Sequence, residues 1–515
     1  MSQNNMTISR TNKSVKNAKF ALFFYFINLA LSFFSRKAFI DYLGIEILGL
    51  NTTAVNLLSF LNLAELGIGS AISYSLYRPL FENDRKSINE IVSVQGWLYR
   101  RIAYIVIVGA FFLMLFFPLI FKKTDLPLWY AYGSFIVLLI GSLLSYFVNY
   151  RQIVLTADQK EYKVTLNVQG FKVLKVILQI VAIVYLSNGY IYWLILEVLM
   201  AFITAFILDR VLKKEYPWLK TSPTLGKKVR SCYPEIIQKT KQLFLHKISA
   251  FILGQTSPLI IYIYASLSLV AIYGNYMLII SGVTMLVMAL FNSINGSIGN
   301  LVAEGDSKRI NYIYWELATI RFWLASVLCF GLYNLTHSFI TLWIGEEFVL
   351  SQSVFVLLLV YTFISLTRVN DSFLVAYGLF RDIWAPITEA ILNLGCSLML
   401  GYYFGLLGIL LGVVISLLLI VCCWKPYFLF KYGFRERFSI YILKIFKLLL
   451  LITVSWYISF YIINLINLNI VISNFMKWGE YACLLTFVYV IVSVIVFCLF
   501  ESHMRKIIPR IKQLF

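Results

Sequence analysis

Long apolar runs separated by short polar links dominate this chain, and a run of about 20 such residues crosses a bilayer as a helix. Runs of this kind lie near residues 20–42, 47–77, 98–121, 127–149, 166–187, 190–209, 236–264, 267–294, 313–343, 353–380, 384–404, 406–424, 442–467 and 479–500. In lipid a backbone must satisfy its own hydrogen bonds, so successive runs of this length fold as packed helices. The expected fold class is all-α, a polytopic membrane protein with about 14 transmembrane helices. Composition agrees: 60% of residues are hydrophobic and 13% charged, against roughly 45–50% and 25% in soluble domains. The first run, ALFFYFINLALSFF, is followed by Arg36 and Lys37 and has no small-residue cleavage site, so it reads as a retained span.

The links test the span count, because cations collect on the cytoplasmic side. Lys and Arg gather in the N-terminal tail, the even-numbered links and the C-terminal tail, whereas the odd-numbered links hold only Lys122, Lys123 and Lys477. One missed helix would invert every later link, so the alternation implies an even number of spans with both termini cytoplasmic. Between Arg210 and Lys241, around LKKEYPWLKTSPTLGKKVR, nine basic residues face two acids. This link, expected to rest on anionic headgroups, divides the chain. The expected units are an N-terminal six-helix bundle (1–210), a basic cytoplasmic loop (211–235), a C-terminal six-helix bundle (236–424), and two additional transmembrane helices with a basic tail (425–515). The net charge of +20 is spread over eight cytoplasmic segments without a nucleic-acid motif, which excludes nucleic acid as the partner. YLGIEILGLN at 42–51 and SLVAIYGNY at 268–276 both open the second helix of their half, a modest sign of duplication.

No catalytic pattern stands in the chain: GxSxG, HExxH and Walker A are absent, and the three histidines are isolated. Seven scattered cysteines form no CxxC, so neither metal nor cofactor is expected, and the missing Walker motif argues against an ATP-driven pump. What remains is a set of charges inside the spans, each of which defaults to a functional reading. Lys37 and Asp41 at i,i+4, and Arg368 and Asp371 at i,i+3, share helix faces and either neutralise one another or line a site. Glu316, Arg321 and Glu389 lie near the cytoplasmic boundary, where snorkelling is the simpler reading. Glu65 precedes Gly67 and Ala71, a small pair that lets another helix approach, so it bridges helices or touches a ligand. Deep in the spans, Arg36, Lys37, Lys172, Lys175, Lys247 and Arg368 outnumber Asp41, Glu65, Glu197 and Asp371, with His246 a further potential cation. A net cationic interior suits an anion, and Arg with Lys suits phosphate.

The run RKAFIDYLGIEILGLNTTAVNLLSFLNLAELGIGSAISYSLYRPL resembles the polysaccharide (O-antigen type) flippases of the multidrug/oligosaccharidyl-lipid/polysaccharide (MOP) exporter superfamily. So do VLTADQKEY, AIYGNY, TLWIGEEFVLS, VNDSFLVAYGLFRD, ITEAILNLGCSLML and GLLGILLGVVIS. The resemblance covers roughly residues 15–430, and its most specific pieces are the acid in LAELGIGSA and the arginine in the first span. It implies two six-helix bundles about a pseudo-twofold axis, opening alternately to each side. It also implies a non-enzymatic function in the bacterial inner membrane: moving undecaprenyl-pyrophosphate-linked repeat units outward for O-antigen, capsule or exopolysaccharide biosynthesis. The polysaccharide polymerase of that pathway is an implied partner. Arg36, Lys172, Lys175, Lys247 and Arg368 are then the expected substrate-binding cations, and Lys37, Asp41, Glu65, His246 and Asp371 the expected structural or gating charges. Glu65 is expected to pair with Arg36, Lys172 or Lys175. Two alternatives are a cation-coupled drug exporter of the same superfamily, which calls for a net acidic or aromatic cavity, and a membrane polymerase or glycosyltransferase, which calls for large outward loops or acidic catalytic motifs.

Overall fold

The computed structural model describes the backbone of residues 3–379, 382, 384–466 and 472–506. Within these, the side chains of residues 3–15, 242, 245–247, 249–250, 253, 292–293 and 296 fall outside the description. Among the described residues all regular structure is helical, and twelve helices are long and apolar enough to cross a membrane. One of them, Trp384–Phe434, is a hairpin that turns back at Gly405, where φ 57° and ψ −135° belong to glycine's range. Its arms touch so closely that a Cβ on Gly408 would lie 2.0 Å from the Leu400 carbonyl oxygen, and one on Gly412 would lie 2.3 Å from the Ser397 nitrogen. With this hairpin taken as two arms, and with the 31-residue helix Pro234–Tyr264, each expected segment falls mainly on helix among the described residues.

Two expected spans are broken. The run 47–77 becomes Ile45–Leu61, a 3-10 turn Asn62–Glu65, and Ile68–Glu82. The break rests on Gly67, whose φ of 94° places it where a Cβ would meet Leu243 Cβ and the Thr240 carbonyl at 3.0 Å, so helix Pro234–Tyr264 does approach at this small residue. The run 353–380 becomes Gln352–Leu366 and Val369–Ala376, separated at Thr367 and Arg368.

The chain forms two compact units, Met1–Ala271 and Ile272–Phe515. In the first, helices Gln3–Ala38 and Glu161–Tyr185 run side by side, joined by Asn17 to the Gln159 carbonyl at 3.1 Å and Asn28 to Gln169 at 3.2 Å. The basic segment after Gly189–Glu215 is a folded strap across helix Arg85–Leu115. Lys220 N donates to Asn89 at 2.7 Å, Ser222 N to Ser93 at 3.1 Å, and Tyr233 hydroxyl to Glu90 at 2.7 Å. Gly226 lies so close that a Cβ would stand 2.0 Å from the Ser93 carbonyl oxygen, while Lys220, Lys227 and Lys228 stay exposed. At the start of the strap, Tyr216 donates to Asp158 at 2.8 Å, and burial together with that carboxylate raises the phenol's pKa above its ordinary value.

The same turn occurs in both units. ENDRKSIN (82–89) and EGDSKRIN (304–311) share Glu-x-Asp-x-Lys-x-Ile-Asn. In each, a left-handed residue, Asn83 at φ 56° or Gly305 at φ 79°, precedes an aspartate that caps the next long helix. Asp84 accepts from Lys86 N and Ser87 N, and Asp306 from Lys308 N and Arg309 N. Further along, Gln159 (φ 57°) follows the short helix Ile153–Ala157, just as Gly378 (φ 64°) follows Val369–Ala376.

Candidate functional site

In the first unit the polar residues of two parallel helices form stripes. At about 100° per residue, Gln169, Lys172, Lys175 and Gln179 fall on one side of Glu161–Tyr185, and the exposed Leu166, Leu174, Ile177 and Val181 fall on the opposite side. Asn28, Ser32 and the half-buried Arg36 continue one stripe of the first helix, and Asn28 of that stripe is the residue bonded to Gln169. These cations therefore belong to a polar face distinct from the apolar one.

The structure separates the expected cations. Lys175 is compensated: its Nζ lies 2.6 Å from Glu197, whose other oxygen accepts from Gln179 at 2.9 Å. Lys172, one turn earlier and exposed on the same face, makes no ion pair among the described residues. Lys37 and Asp41 pair at 3.2 Å, as their spacing allowed. The side chains of His246 and Lys247 lie outside the described residues.

Glu65 does not take the expected cation. It sits in the 3-10 turn that breaks its span, and Tyr99 donates a hydroxyl hydrogen bond to it at 2.8 Å. One turn away, Asn62 accepts from Ser142 at 3.1 Å and from Tyr146 at 2.9 Å, and the Tyr99 and Tyr146 rings meet edge to face at 5.5 Å. A chain of hydroxyls and one amide thus holds the carboxylate at the helix break. Nothing in local spacing marks Tyr99, which lies on another helix.

In the second unit Arg368 and Asp371 pair at 2.7 Å, and Lys425 also reaches Asp371, at 2.9 Å. Lys425 reads as a loop residue in the sequence. The structure keeps it helical, in the short helix Lys425–Phe428 between π-helical turns Leu418–Trp424 and Leu429–Phe434, and so carries it to the aspartate. Snorkelling is also corrected: Glu316, Arg321 and Glu389 are 8%, 5% and 3% exposed, so they are enclosed by protein rather than extended along the surface to the interface. Hydropathy at a span's edge does not distinguish a side chain that climbs to the interface from one enclosed by neighbouring helices. Among the described residues no His, Cys, Asp and Glu cluster could hold a metal ion. The two units offer an anion positive charge and hydrogen-bond donors.

No family model matches the chain, and no curated protein matches it. Among the solved structures similar in fold are two transport proteins. One is the lipid II flippase MurJ in an inward closed conformation, with a TM-score of 0.67 at 16% identity, over 96% of this chain and all of that one. The other is an inward-facing multidrug resistance MATE family transporter of the MOP superfamily, with a TM-score of 0.59 at 14% identity, over 78% of this chain and 94% of that one. The chain is thus a multi-pass membrane protein with the fold of these two solved structures.

Proposed function

We propose that this chain is a flippase that moves a lipid-linked oligosaccharide, with an undecaprenyl-pyrophosphate carrier, from the inner to the outer leaflet of the bacterial cytoplasmic membrane by alternating access. Both termini are on the cytoplasmic side, and the glycan serves a surface polysaccharide. The observation that carries this reading is Lys172, a cation with no ion pair among the described residues, midway along a membrane-length helix and on a polar face it shares with Gln169 and Gln179. An ion there is costly unless a cavity or an opposite charge receives it, and a pyrophosphate supplies that charge. Arg36 on the neighbouring stripe is a second candidate contact. A lipid II flippase among the similar folds favours a lipid-linked glycan over a free drug. The test is transbilayer movement of a pyrophosphate-linked oligosaccharide in proteoliposomes. Lys172→Arg is expected to keep movement, and Lys172→Glu to slow it by at least about tenfold, equivalent to some 1.4 kcal/mol. In cells, loss of the protein should deplete a surface glycan and accumulate its lipid-linked unit at the inner leaflet. Intact glycan with new drug sensitivity would replace this reading with the exporter.

A further inference from the structure

Arg321 is 5% exposed, and its Nε has no hydrogen-bond partner among the described residues. Its guanidinium lies over the Phe291 ring, 4.3 Å from the centroid, a contact that supports the charge from one face and does not itself engage the N–H donors. Both carboxylate oxygens of Asp371 are already engaged, by Arg368 and by Lys425, and no ion pair to Arg321 forms among the described residues. Arg321 borders a cleft of about 670 Å³ whose lining also includes Arg368, Asp371, Ser372, Asn295 and Gly299. Three cations, Arg321, Arg368 and Lys425, stand in this region against the carboxylates of Asp371 and Glu389.

The turn shared by the two units makes the missing group specific. Tyr99 lies fifteen residues beyond the capping Asp84, and Arg321 fifteen beyond the capping Asp306, each in an unbroken helix. They therefore occupy the same turn and phase of corresponding helices. In the first unit the residue at this position donates to an acid that the protein itself provides, Glu65. In the second unit the position holds a stronger donor and a full charge, resting on an aromatic ring, with no ion pair among the described residues. A buried charge lacking its partner is strongly unfavourable, and a buried donor fork is matched by a planar or tetrahedral oxyanion.

We infer that the cleft bordered by Arg321 and Arg368 is an oxyanion-binding subsite of the second unit, completed by an anionic group of the cargo where the first unit uses Glu65. The shared chemistry is a phosphate or carboxylate oxygen pair, from the diphosphate link or from an acidic sugar. The inference deepens the flippase reading and rests on it for the identity of the cargo, although the binding does not require flipping.

The experiment uses the purified full chain, with its native cysteines replaced and Ser372→Cys in the cleft lining, and follows the rate of alkylation by a small thiol reagent. Inorganic pyrophosphate and glucuronate are the probes. At least one is expected to slow alkylation saturably. Protection by pyrophosphate alone assigns the diphosphate, and protection by glucuronate alone assigns an acidic sugar. Arg321→Gln should abolish the protection and Arg321→Lys should weaken it, since lysine cannot offer two parallel donors. Lack of protection by either probe in the arginine protein overturns the subsite, whether or not the variants fold, and so does undiminished protection in Arg321→Gln. Protection without transbilayer movement overturns the flippase reading and leaves the subsite standing; movement without protection does the reverse.

Discussion

Tyr99 holds the carboxylate of Glu65 at 2.8 Å, at the point where the second span leaves its helical path. A hydrogen bond to a charged group contributes more than one between neutral groups, so Tyr99→Phe is expected to lower stability by about 1.5–3 kcal/mol. Thermal unfolding in detergent measures this. Combining Tyr99→Phe with Glu65→Gln should fall short of additivity by at least about 0.5 kcal/mol. Additive losses would show that the two side chains do not depend on each other.

The strap is held by close backbone contact as well as by hydrogen bonds. A Cβ at Gly226 has no room against the Ser93 carbonyl, and overpacking of this kind costs about 1–3 kcal/mol. Gly226→Val is therefore expected to lift the strap from helix Arg85–Leu115 and speed tryptic cleavage at Lys227 and Lys228 in inside-out vesicles. Unchanged proteolysis would mean that the strap is fixed elsewhere.

At Gly405 the constraint is conformational. A side chain at φ 57° and ψ −135° is strained by about 1–3 kcal/mol, and Gly405→Ala should reduce thermal stability by that order. Gly408→Val should do more harm, because its Cβ would meet the Leu400 backbone rather than a movable side chain. Equal tolerance of both changes would contradict the hairpin.

Orientation is testable on exposed residues. On a cysteine-free background, Ser187→Cys and Glu347→Cys are expected to react with an impermeant thiol reagent in intact cells, and Thr224→Cys only in inside-out vesicles. All three positions are exposed, so a failure to react reports sidedness rather than burial. Labelling of Thr224→Cys from outside would invert the proposed topology.

Hydropathy alone determined that this chain crosses a membrane many times as helices, because lipid leaves a backbone no other way to satisfy its hydrogen bonds. It also located the charges inside the spans, since an ion within a twenty-residue apolar run is visible without knowing its neighbours. Even the repeated turn was present as Glu-x-Asp-x-Lys-x-Ile-Asn, although its signal lies in capping chemistry and not in the apolar similarity that YLGIEILGLN and SLVAIYGNY share. Only the tertiary structure decided which charges remain uncompensated. Glu65 meets Tyr99 across 34 positions of sequence, Lys175 meets Glu197 across 22, and Asp371 meets Lys425 across 54. Local spacing reports helix faces three or four residues apart and is blind to such pairs. The breaks at Gly67 and Arg368 were invisible for a related reason: a single backbone rotation redirects a helix without changing the hydropathy of its residues. Those rotations and long-range contacts distinguish Arg321, buried against Phe291, from an arginine that merely climbs to the headgroups.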